Sequence, residues 1–105
     1  MAAKSFVDKA IKDNKVIIFS KSYCPYCKKA KSALGSVIPS DKFHVVELDQ
    51  RSDTDSLQDY LLEITGGRSV PRVFVDGQFI GGGDDTVQLA ASGQLKQLLA
   101  SKGIL

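Results

Sequence analysis

The sequence predicts an α/β fold, a four-stranded mixed sheet with helices on both faces. Three observations predict it. The run Val16-Ile17-Ile18-Phe19 is wholly apolar and rich in β-branched residues, as suits a central strand covered on both faces. Helical patterns flank it, and a second strand-like run follows one helix later. Near residue 76, two short β-type runs meet at an Asp-Gly pair.

The elements follow in order. Phe6, Val7, Ala10 and Ile11 recur at helical spacing and predict an amphipathic helix near residues 3–14. The strand Val16–Phe19 comes next. Pro25 fits the first turn of a second helix, where its missing N–H costs nothing. Ala30, Ala33, Leu34 and Val37 supply that helix's inward stripe, and it ends before Pro39. Phe43–Leu48 reads as the second strand, and a strand–helix–strand series of this length implies a right-handed parallel crossover.

Leu57, Tyr60, Leu61 and Ile64 lie at i, i+3, i+4 and i+7 and mark a third helix. Ser52 and Asp55 form a candidate capping box for it, Gly66-Gly67 stops it, and Tyr60 falls on its apolar stripe as a core residue. Arg72–Val75 and Gln78–Ile80 read as a hairpin around Asp76-Gly77. Gly81-Gly82-Gly83 breaks that hairpin. Asp84 or Asp85 caps a fourth helix through about Ala91, and a last helix runs from about Gln94 to Ala100 with Leu95, Leu98 and Leu99 inward.

Composition bounds the function. At 105 residues, 43% hydrophobic and 25% charged, the chain reads as a single domain, residues 1–105, with a core of its own. A formal charge of +2, with Lys and Arg scattered among acids, offers no nucleic-acid surface. Met1–Lys15 carries Asp8 and Asp13 and lacks an apolar core, so it reads as neither a secretory signal nor a membrane segment. A reducing, cytoplasmic location and no membrane partner are the default expectations.

Both cysteines lie in Cys24-Pro25-Tyr26-Cys27. If Pro25 opens a helix, Cys24 sits at its mouth and Cys27 one turn inside, with side chains about 5–6 Å apart and within disulfide range. As a staple, so small a ring would contribute only about 2 kcal/mol. Structural zinc usually takes four Cys or His ligands, whereas the chain holds two cysteines and one histidine, His44, so no metal is expected. In a reducing compartment this spacing points to redox catalysis.

Four separated motifs then carry a family resemblance: Lys21-Ser22-Tyr23-Cys24-Pro25-Tyr26-Cys27, Leu57-Gln58-Asp59-Tyr60-Leu61, Gly67-Arg68-Ser69-Val70-Pro71-Arg72-Val73-Phe74 and Ile80-Gly81-Gly82-Gly83-Asp84-Asp85. In these the chain resembles the dithiol class of the glutaredoxin family over essentially its whole length. The resemblance implies a thioredoxin-like fold and reduction by glutathione. Cys24 would be the nucleophile, its thiolate favoured by a helix N-terminus and by Lys21, and Cys27 the resolving thiol. Val70-Pro71 would be a cis pair whose Val70 backbone meets an extended peptide, with Ser69 in place of the usual threonine.

Around a bound glutathione, the resemblance implies that Lys21 and Gln58 hold the glycine carboxylate and Val70 pairs with the cysteinyl backbone. The N–H groups of Asp84 and Asp85 would receive the γ-glutamyl carboxylate, and the Asp85 carboxylate the amine. Tyr26 and Pro71 would shape the groove, while Arg68 and Arg72 could add positive field. Asp84 replaces a serine common in the family, an acid that repels a bound carboxylate mildly unless its side chain caps the helix or turns outward. Gly83 stands where some relatives carry a further cysteine. The partners so implied are glutathione, glutathionylated proteins and protein disulfides, met by a monomer. A glutathione-ligated [2Fe-2S] carrier, formed as a cluster-bridged dimer, is the alternative, disfavoured by the stiff Pro25 and bulky Tyr26.

Overall fold

The structure is a computed structural model describing residues 2–105. Helix α1 spans Ala2–Asp13, strand β1 Val16–Ser20, helix α2 Pro25–Gly35, strand β2 His44–Glu47 and helix α3 Thr54–Thr65. Strands β3, Arg72–Val75, and β4, Gln78–Gly81, then precede helices α4, Gly83–Ser92, and α5, Gln94–Ser101. Short 3-10 turns at Ser40–Lys42 and Leu48–Gln50 bracket β2.

The sheet order is β2-β1-β3-β4, with β1 and β2 parallel and the other pairs antiparallel. This is the mixed four-stranded sheet expected from the sequence. Every residue of β1 is buried. Because side chains alternate across a strand, Ile17 and Phe19 enter a core with α1 and α3, formed also by Ala3, Val7, Leu57, Leu61 and Phe74. Val16 and Ile18 enter the opposite core with Ala30 and Leu34 of α2, Val73 and Val75 of β3, and Leu95 and Leu99 of α5. Each fully buried Ile or Leu stabilises the fold by about 1.5–3 kcal/mol relative to exposure.

Asp76 and Gly77 both take positive φ, 50° and 80°, and join β3 to β4 in the tight turn that the Asp-Gly pair predicts. Gly66, at φ 82°, ends α3. The α3 start differs from expectation. Its cap position is Asp53, whose carboxylate pairs with Arg51, Nε to Oδ1 at 2.8 Å, instead of binding a helix N–H. The Thr54 hydroxyl donates back to the Leu48 and Arg51 carbonyls, so Ser52 and Asp55 form no capping box. Helix α4 begins two to three residues earlier than its acids suggest. Gly82 is the cap, and Asp85 accepts its backbone N–H at 3.1 Å from within the first turn.

Tyr60 is likewise corrected. It lies half-buried at the edge of the core, and its hydroxyl donates to Asp8 of α1 at 2.5 Å. It still packs against the α1–α3 core, and Gln58, two residues earlier on the helix, is buried at 7% exposed. Helix α2 stops at Gly35, which leaves Val37 outside it but still packed on the α2–α5 core.

Helix α4 lies tight against α2 at Gly83. A Cβ there would come within 2.9 Å of the Tyr26 carbonyl oxygen and 3.1 Å of Tyr26 Cβ. Gly83→Ala is therefore expected to cost about 1–3 kcal/mol by overpacking against backbone. Gly35→Ala, which meets nothing within 4 Å, should instead stabilise by about 0.4–1 kcal/mol. Thermal melts of the two variants check this pair, and equal melting temperatures would contradict it.

Candidate active site: a dithiol at a helix mouth

Strand β1 delivers the chain to the site. After Ser20 a short loop crosses to Cys24, the N-cap residue of α2 with extended backbone, φ −85° and ψ 120°. The loop is tied at both ends: Cys24 N–H donates to the Lys21 carbonyl at 3.1 Å, and Ser22 N–H donates to Asp49 Oδ1 at 3.0 Å. The Ser22 hydroxyl donates to the other Asp49 oxygen, and these bonds hold the Asp49 carboxyl below its usual pKa.

Cys24 is partly exposed and Cys27 fully buried, and both are free thiols. Cys24 Sγ accepts the Cys27 backbone N–H at 3.4 Å, so the sulfur occupies the capping position at the positive end of α2. It also lies 3.8 Å from the Val70 carbonyl oxygen. Cys27 Sγ sits behind it, 3.5 Å from the Lys21 backbone N–H. Burial pushes the Cys27 thiol up to about 11, against the lowering effect of that N–H.

The Val70–Pro71 peptide bond is cis, as the resemblance implies. Two side chains hold its loop. Gln58 Nε2 donates to the Arg68 carbonyl at 2.9 Å. Arg72 Nε donates to the Ser69 carbonyl at 2.7 Å, and its terminal nitrogen donates to the Ser69 hydroxyl at 2.9 Å. Arg72 is packed so closely that a Cβ on Gly67 would lie 2.0 Å from its guanidinium. Burial pulls the Arg72 guanidinium below its ordinary pKa while Asp85 works the other way. Arg68 turns outward and pairs with Asp59 at 2.9 Å.

The start of α4 completes the rim. A Cβ on Gly82 would lie 3.5 Å from the Pro71 carbonyl, and one on Gly81 would collide with Asp85. Asp84 faces outward, lining a surface groove of about 700 Å³ with Lys28 and Lys29 of α2. Tyr26 is 52% exposed beside the site, with Lys29 Nζ 5.2 Å from its ring centroid.

Cys24, Cys27, Lys21 and Val70 are thus linked by direct contacts, Tyr26 meets the α4 start at Gly83, and Pro71 approaches Gly82. Gln58 stands apart. It is buried and braces the loop from behind, so it is not the exposed polar side chain its position in the motif suggested. His44 lies at the opposite end of β2, exposed, its register partner being Ile17 near the start of β1. Sequence reasoning missed Asp49, although parallel pairing of β1 and β2 brings the residues that follow each strand together. It also missed the supporting roles of Arg72 and Gly83. Among the described residues no group of three or more His, Cys, Asp or Glu is placed to hold a metal ion, and no helix is long and apolar enough to cross a membrane.

A thioredoxin-like fold with one sulfur capping a helix and a second buried a turn behind it defines a thiol–disulfide oxidoreductase. Residues 16–80 match the glutaredoxin family model. The chain is 52% identical over 100 residues to glutaredoxin-C4 of Arabidopsis thaliana, which covers 93% of this chain and 71% of that protein. It superposes on the oxidized glutaredoxin 2 of Chlamydomonas reinhardtii with a TM-score of 0.95 at 56% identity, covering 99% of this chain and 96% of that one. A buckwheat glutaredoxin–glutathione complex matches with a TM-score of 0.89 at 35% identity, over 99% and 93% of the respective chains. The chain belongs to the glutaredoxin family.

The burial contrast makes a direct forecast for the two thiols. An acid whose pKa is raised keeps its proton until the pH nears the raised value, so Cys27 should remain a thiol, and inert, at neutral and mildly alkaline pH. Iodoacetamide is expected to label the reduced folded protein once, at Cys24. Mass spectrometry of digests after timed alkylation checks this, and equal labelling of both cysteines at neutral pH would refute it.

Proposed function

We propose that this protein reduces glutathione mixed disulfides and some protein disulfides, using glutathione as the reducing co-substrate. The observation that carries the proposal is the asymmetry of the two sulfurs: Cys24 is open to solvent at the α2 mouth, and Cys27 is closed in behind it. In the first reaction Cys24 thiolate attacks the glutathione sulfur of a mixed disulfide and releases the protein thiol. A second glutathione then attacks glutathionylated Cys24 and leaves as glutathione disulfide. In the second reaction Cys24 attacks a protein disulfide, and Cys27 resolves the product, leaving Cys24 bonded to Cys27.

Glutathione would lie along the rim, its cysteinyl backbone against Val70 and Pro71 and its sulfur at Cys24. Its γ-glutamyl carboxylate would meet the α4 N-terminus at Asp84 and Asp85, a ready anion site. Asp85 spends Oδ2 on the Gly82 N–H, leaving Oδ1 outside that bond for the ligand amine. Asp84 is exposed and lines a groove with Lys28 and Lys29 of α2, whose positive charge would offset its repulsion of the ligand. Lys21 supplies the cation for the glycine carboxylate, with Gln58 acting through the loop it braces. A buckwheat relative, solved as a glutaredoxin–glutathione complex, supports glutathione as the ligand. A monomer in the cytoplasm is the working state we assign.

Cysteine variants test the mechanism. Cys24→Ser is expected to abolish both activities. Cys27→Ser should keep mixed-disulfide reduction, because external glutathione can release the intermediate, and lose most protein-disulfide reduction, because intramolecular attack has the effective-concentration advantage. Coupled assays with glutathione reductase and NADPH on both substrate types decide it. Equal loss of both activities in Cys27→Ser would rule out the monothiol step.

A second comparison separates ligand contact from support. Lys21→Ala is expected to raise the KM for glutathione about tenfold, as for a lost hydrogen bond to a charged group, with an unchanged melting curve. Gln58→Ala should lower stability by about 0.5–1.5 kcal/mol, because it removes the hydrogen bond from buried Gln58 to the Arg68 carbonyl. Steady-state kinetics beside thermal melts distinguish the two, and a parental KM in Lys21→Ala would remove that residue from the site.

A further inference from the structure

The turn Lys21-Ser22-Tyr23 leads from β1 to the nucleophile and carries the cation assigned above to the glycine carboxylate. None of its residues belongs to either core, and Tyr23 is 67% exposed. A segment without buried apolar contacts opens easily, so hydrogen bonds have to set its position. Two of them reach Asp49. Ser22 N–H donates to Asp49 Oδ1 at 3.0 Å, and the Ser22 hydroxyl donates to Oδ2. Bonds to an ionised acceptor are stronger than those between neutral groups.

Asp49 is itself firmly placed. It follows Leu48, which is fully buried in the α1–α3 core, and it lies in the 3-10 turn that closes β2. The Leu48 carbonyl accepts the Arg51 N–H at 3.2 Å and the Thr54 hydroxyl. Because Ser20 pairs with Glu47 in parallel register, the segments that leave the two strands run side by side. The acceptor thus rests on the core, and the turn rests on the acceptor.

Cys24 has a separate support in α2. Its carbonyl accepts the Lys28 N–H at 3.1 Å, and its sulfur accepts the Cys27 N–H. Lys21 meets that helix through its own amide, 3.5 Å from Cys27 Sγ, and through its carbonyl, which accepts the Cys24 N–H. On the other side the turn is held by Asp49. The Lys21 charge also helps keep the Asp49 carboxyl below its usual pKa, which places the two charges in one another's field.

We infer that Asp49 is a positioning residue for glutathione: by holding Ser22 it fixes the neighbouring Lys21 where its ammonium meets the glycine carboxylate. The inference rests on the assignment of Lys21 to that carboxylate. Asp49 touches neither glutathione nor a reacting sulfur, so its effect falls on the KM for glutathione and passes through Lys21.

The experiment measures that KM with a glutathionylated peptide, in the assay coupled to glutathione reductase and NADPH. It compares the parent chain with Asp49→Ala, Asp49→Asn, Ser22→Ala, Lys21→Ala and the double variant Lys21→Ala/Asp49→Ala, and thermal melts check each fold. Asp49→Ala is expected to raise KM about fivefold, less than the about tenfold of Lys21→Ala, because it loosens the charged contact without deleting it. Asp49→Asn keeps an oxygen for the Ser22 N–H and an amide for the hydroxyl, so its KM should stay within about twofold of the parent. Ser22→Ala retains the N–H bond and should fall between.

Changes that act through one contact do not add, so in the Lys21→Ala background Asp49→Ala should alter KM by less than about twofold. A merely structural role would multiply the two losses. Should Asp49→Ala fail to fold, Ser22→Ala alone and combined with Lys21→Ala carries the same comparison. A parental KM in Asp49→Ala, an Asp49→Asn protein no better than Asp49→Ala, or a double variant that shows the product of the single losses overturns the inference and leaves Lys21 in the site. A parental KM in Lys21→Ala overturns the assignment of Lys21 itself.

Discussion

Strand β1 has to satisfy two hydrophobic cores at once. Its five residues are all buried, alternate ones serving α1 and α3 on one side and α2 and α5 on the other. It also pairs on both edges, parallel to β2 and antiparallel to β3. A strand so enclosed has no freedom in register, because a shift of one residue would swap every side chain between the cores. The active-site loop leaves from its end, and so Cys24 inherits the position of the most constrained element in the molecule.

The site is built chiefly from backbone. An amide at the helix start holds the Cys24 sulfur, another amide faces the Cys27 sulfur, and a carbonyl from the loop before β3 lies against Cys24. Side chains act mainly as braces: Asp49 for the loop before Cys24, and Gln58 and Arg72 for the loop of Val70 and Pro71. Charge therefore enters through fixed dipoles more than through mobile ion pairs, and dipoles held by a rigid frame cost little reorganisation when charge develops.

Elements set by strong local patterns were legible from the sequence. The all-apolar run gave the central strand, the Asp76-Gly77 pair gave the hairpin, and Pro25 gave the start of α2, each through a backbone rule that needs no tertiary knowledge. The cis state of Pro71 and the pairing of segments around Cys24 came through family resemblance, because no local pattern encodes which loops meet. What escaped was tertiary choice among equivalent polar groups. Asp53 turned to Arg51 instead of capping α3, Tyr60 reached Asp8, and Gln58 turned inward. An Asp, Tyr or Gln has several partners of similar worth, and only the packed neighbours decide among them.

The close approach at Gly83 has a mechanical meaning. The Tyr26 carbonyl that Gly83 rests against belongs to the same peptide unit as the Cys27 N–H that holds the Cys24 sulfur. A peptide unit is planar and stiff, so its two ends tilt together. The start of α4 is thus geared to the nucleophile through one rigid plate, and whatever presses on that helix end also sets the angle at which the sulfur is held.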